Sequence, residues 1–156
     1  MVRMLPVKVE PELWYVAFHK TTPHWWLRWL PGYKHVSAFA FVRELELWIV
    51  YDLCLNRTRI VLLPDTQEAH ALIENFAAGA DLVRFSKTGG KYVIPMLAPF
   101  CCVPAIAHLL GLPPCVALTP SGLYRWLIRN GGEPHGRTAQ TAGRRGSAAP
   151  AGDRAH

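Results

Sequence analysis

The chain has 156 residues, 51% of them apolar and 18% charged, with a formal net charge of +6. That composition excludes a disordered protein and fits one domain large enough to bury a core. No apolar run reaches the roughly 18 residues of a membrane span, so no transmembrane segment is predicted, and the positive charge forms no block, so no specific nucleic-acid partner is indicated.

In chain order, Leu13 to Phe18 (LWYVAF) is a β-rich run that forms a first strand. TTPHWWLRWLPGY follows as a loop with a short helical turn, bounded by proline and Pro-Gly. His35 to Val42 (HVSAFAFV) and Leu45 to Asp52 (LELWIVYD) read as two strands joined through Arg43-Glu44, and Arg59 to Leu63 continues the meander. Pro64 stops that strand. Asp65 then caps a helix with Glu68 in capping-box style, and Ala69, Leu72, Ile73, Phe76 and Ala77 share its apolar face up to Gly79.

Leu82 to Phe85 and Tyr92 to Met96 flank KTGG and predict another hairpin. Val103 to Leu110 is a short helix closed by Gly111, and a last helix runs from a Thr119 cap with Pro120 at its first position to Gly131. The order predicts an α+β domain over residues 1–131, an antiparallel sheet with segregated helices. Residues 132–156 have no large hydrophobe and are read as a disordered basic tail.

Four cysteines, Cys54, Cys101, Cys102 and Cys115, show no CxxC spacing. They are read as reduced thiols, with no disulfide framework, no metal site and no cofactor implied. The opening MVRMLPVKVEPELW lacks the long apolar stretch of a secretory signal, so no signal peptide is expected.

Thiolate catalysis needs an imidazole to take the thiol proton and a site that favours the negative charge. With Arg43-Glu44 as a two-residue loop, Val42 pairs with Leu45 and His35 lies opposite Asp52, on one face of the hairpin. A carboxylate so placed fixes the imidazole's tautomer and supports its charged form. Cys102 precedes Pro104, which belongs only in a first helical turn, so its sulfur sits near the positive end of a helix dipole. A backbone N–H there can also serve an oxyanion hole. Cys101 is the rival one step earlier; Cys102 is preferred for its helical spacing to Ile106 and Leu109.

A strand beginning HV, a following strand ending in a polar residue, and Cys-Val opening a helix that ends LLGL together resemble the permuted NlpC/P60 group of papain-like proteins. That group includes lecithin:retinol-acyltransferase-like and YiiX-like members. CVPAIAHLLGL followed by TPSGLYRWL is also similar to small proteins of this type in phages and prophages. The resemblance covers roughly residues 34–127. It implies a permuted papain-like fold with Cys102 as nucleophile, His35 as general base and Asp52 as the orienting residue.

Trp25, Trp26 and Trp29 in HWWLRWL either pack over the sheet or wall a substrate groove. The expected protein is a cysteine peptidase, amidase or acyltransferase acting on a peptide, peptidoglycan or acyl substrate through a thioacyl intermediate, located in the cytoplasm or a phage virion. The alternative is the same fold without activity, a virion component contacting other phage structural proteins.

Overall fold

The computed structural model describes residues 11, 13–21, 29, 31–54, 57–87, 102–113 and 116–135. Runs of apolar and β-branched residues form β1 (Leu13–His19), β2 (His35–Val42), β3 (Leu47–Cys54), β4 (Arg57–Pro64) and β5 (Ala80–Ser86), and a short β6 (Glu133–His135) completes a sheet of order β4-β3-β2-β1-β5-β6. Every neighbouring pair is antiparallel. Among the described residues three helices, α1 (Gln67–Ala77), α2 (Cys102–Leu109) and α3 (Pro120–Arg129), accompany the sheet and make the protein α+β.

Side chains alternate across the sheet and divide the core in two. On one face Val16, Phe18, Val36, Ala38 and Val83 meet Ile106 of α2 and Leu123 and Leu127 of α3. On the other, Ala17, Phe39 and Val50 meet Ile73 of α1. Helices therefore stand on both faces instead of being segregated to one. Each fully buried Leu or Ile at these seams stabilises the fold by ~1.5–3 kcal/mol relative to an exposed one.

The β2–β3 hairpin corrects the expected register. Val42 pairs with Leu47 and Ala38 with Tyr51, so the connection is Arg43–Glu46 and not Arg43-Glu44. A two-residue loop needs positive φ that Arg and Glu resist. Instead Arg43–Leu45 form a 3-10 turn, and Glu46 alone takes the left-handed conformation at φ 49°. The displacement is two residues, which preserves the face of every side chain. His35 and Asp52 thus remain on one face, as diagonal and not direct neighbours.

Helix α1 is capped by Thr66 and not by Asp65: the Ala69 N–H donates to Thr66 Oγ1 at 3.3 Å. Asp65 accepts instead from Trp48 Nε1 and pairs with His70. Ala69 and Ile73 are buried, whereas Leu72 is exposed. The Thr119 cap and first-turn Pro120 of α3 are as expected, with the Gly122 N–H donating to Thr119 Oγ1 at 3.1 Å.

The expected tail starts inside the fold. Glu133–His135 pair with β5 over Leu82–Arg84, filling the edge that the expected hairpin with Tyr92–Met96 would have used; residues 92–96 lie outside those described. The reversal from α3 needs two glycines. Gly131 has φ +91°, and a Cβ on Gly132 would stand 2.8 Å from both the Leu127 carbonyl oxygen and Val83 Cγ1.

Candidate active site

The paired β2–β3 ladder stops at Ala38 and Tyr51. Beyond that point side chains take over: His35 Nε2 lies 2.6 Å from Asp52 Oδ1, with Asp52 only 9% exposed. A carboxylate this buried is costly unless it is hydrogen-bonded or paired, and His35 supplies both interactions.

Helix α2 packs against β2 and β3 through Val103, Ile106 and Ala107 and brings its first residue, Cys102, to His35. Pro104 is the third residue of α2, where its missing N–H breaks no intrahelical bond. Burial alone would lower the pKa of His35. The Asp52 carboxylate hydrogen-bonded to the ring, together with the nearby Cys102 side chain, outweighs it and raises the value to about 9. Cys102 is a free thiol, half-buried at the helix start.

No family model, no curated protein and no solved structure matches this chain.

All three residues expected from the sequence, Cys102, His35 and Asp52, meet at this point. The tryptophans do not all bear on it: Trp29 is 85% exposed and so does not pack over the sheet, while Trp25 and Trp26, like Cys101, lie outside the described residues. Among the described residues no cluster of three or more His, Cys, Asp or Glu forms a metal site.

Two site residues escaped the sequence reading. His19, at the end of β1, pairs with His35 across the ladder, and the two rings stack with centroids 5.7 Å apart. Its Nε2 is 2.9 Å from the hydroxyl of Ser37, which is fully buried. A polar Ser37 at the third position of the apolar run HVSAFAFV is the one signal that marked this spot, because a buried hydroxyl needs a partner. The pKa of His19 is lowered, by burial first and then by the charge of His35, with Asp52 opposing.

The approach to His35 is anchored on the other side of the sheet. The Tyr33 N–H donates to Ser121 Oγ at 3.0 Å and its hydroxyl donates to Asp81 at 2.6 Å; Lys20 also reaches Asp81. Gly32 has φ +77°, and a Cβ there would lie 2.3 Å from Ser121 Oγ. Gly32→Ala is therefore expected to lower stability by ~1–3 kcal/mol through backbone strain and loss of the Tyr33–Ser121 contact. Thermal unfolding measures this; an unchanged midpoint would show that the loop does not need glycine.

Proposed function

We propose that the protein is a cysteine hydrolase or acyltransferase of the permuted NlpC/P60 kind, with Cys102 as nucleophile, His35 as acid and base, and Asp52 orienting His35. The observation that carries this reading is His35 held between a buried carboxylate and the thiol at the start of α2. The order His strand, acid strand, Cys helix is also the order of that group.

A His35 favoured in its charged form is suited to hold a thiolate–imidazolium pair with Cys102. The thiolate attacks the carbonyl carbon of an amide or ester, forming the S–C bond while the carbonyl electrons move to oxygen. Backbone N–H groups in the first turn of α2 are suited to stabilise that oxyanion. As the tetrahedral intermediate collapses, the leaving amine or alcohol takes the His35 proton and a thioester remains. Water or another acceptor then adds, His35 recovers a proton, and the Cys102 sulfur leaves as thiolate. A peptide or peptidoglycan amide is the proposed substrate, a lipid acyl ester the second, with the exposed Trp29 as a candidate substrate-binding residue.

Alkylation by iodoacetamide at pH 6 tests the pair before any substrate is known. A free cysteine is almost wholly protonated there, so a paired Cys102 is expected to react at least ~10-fold faster. Peptide mapping assigns the label to Cys102 and not Cys101. Equal rates would remove the enzyme reading and leave a binding or structural module.

A further inference from the structure

The site holds a second imidazole that this chemistry does not use. His19 is stacked on His35 with ring planes 29° apart, and its outer edge is closed by Phe76 of α1 at 5.7 Å. Its one polar contact among the described residues is the buried Ser37 hydroxyl. We propose that His19 is a positioning residue that governs the thiol site through His35: neutral, it braces the His35 ring toward Asp52 and Cys102, and protonated, it sets a second positive charge against that ring and loosens the pair.

The inference rests on the reading of Cys102 and His35 as a reactive pair. It follows from what surrounds His19. From β2 it faces His35 and Ser37, from β3 it feels Asp52, and from α1 it meets Phe76, which does not titrate; its ladder partner on β5 is Ala80. The nearest ring, His35, is the one whose charged form the buried carboxylate favours. Two like charges about 6 Å apart in a partly buried site repel, so a charged His35 disfavours a proton on His19. Ser37 can donate to an unprotonated Nε2 or accept from a protonated one, so it holds the ring in place in both states. The direct stack onto His35 is what makes the charge of His19 matter at Cys102.

Ring titration by NMR on the intact protein tests this without a substrate. The His19 midpoint is expected below that of an ordinary imidazole, and the His35 ring is expected to report a second inflection at the His19 midpoint. In His35→Gln the His19 midpoint is expected to rise toward that of an ordinary imidazole. His19→Phe keeps a stacked ring but cannot be protonated. The wild-type alkylation rate of Cys102 is expected to fall at least about threefold more between pH 7 and pH 4 than the rate in this variant. A His35 curve with no inflection at the His19 midpoint, or an acid limb of Cys102 labelling unchanged in His19→Phe, would overturn the proposal. Coupled histidines with a Cys102 no more reactive than free cysteine would sink the catalytic reading alone. Uncoupled histidines beside a fast-reacting Cys102 would sink this inference alone.

Discussion

Replacing His35 by Gln is expected to slow alkylation of Cys102 about tenfold at pH 7 and to reduce thioacyl turnover about 10²–10⁴-fold. The two figures differ because the two measurements ask different things of the imidazole. Alkylation needs only the thiolate, and a thiolate released from its partner gains nucleophilicity as it loses population. Turnover also needs a proton delivered to the leaving group, and Gln has none to give. Gln can still hydrogen-bond Asp52, which limits the structural damage of losing a ring 2.6 Å from a buried carboxylate. The rate of carbamidomethylation, followed by mass, reads the first effect; release of a chromogenic leaving group from an activated ester reads the second. A His35→Gln protein that labels as fast as wild type at pH 7 would show that the helix start, and not His35, makes the sulfur reactive.

The same residues show which features of this site a sequence can carry. His35–Val42 is bounded in the structure where alternation and the Pro-Gly turn placed it. Cys102 at the head of α2 was legible because Pro104 fits a first turn and Gly111, at φ +67°, ends the helix. The Arg43–Glu46 connection was not legible, since a 3-10 turn closed by a left-handed glutamate has no strong composition signal. The error was harmless to the site only because it was even.

His19 was invisible for another reason. Its partnership with His35 depends on pairing two strands across a 15-residue connection, and nothing in LWYVAFH states that register. β6 was hidden by its neighbours: Gly131 read as a helix stop and Gly132 as the start of a tail, whereas the two form the tight turn that returns the chain to β5. Local chemistry announces caps, turns and helix starts. Contacts fixed by strand register are decided by tertiary packing.

Asp52→Asn is expected to lower stability at pH 6 by up to about 3 kcal/mol and to flatten its dependence on pH above neutrality. The sign follows from His35, whose folded pKa is raised from 6.5 to about 9. A raised imidazole means that the folded state binds the proton more tightly than the unfolded chain. The resulting stabilisation is fully present below about pH 6.5 and is lost as pH rises through about 9. His19 works in the opposite direction: its lowered pKa makes the folded state hold the proton less tightly, so its contribution is present above about pH 6.5 and fades below it. Together the two rings predict a stability maximum near pH 6–7, falling on either side. Asparagine keeps the shape of Asp52 but removes the charge that supports His35. The alkaline decline between pH 6.5 and 9 should then shrink, while the acid decline that burial of His19 sets persists. Denaturant unfolding of wild type and Asp52→Asn at pH 5, 6.5 and 9 measures all three. Parallel curves at the three pH values would mean that the Asp52–His35 contact does not hold His35 in its charged form, and the thiolate–imidazolium pair would lose its support.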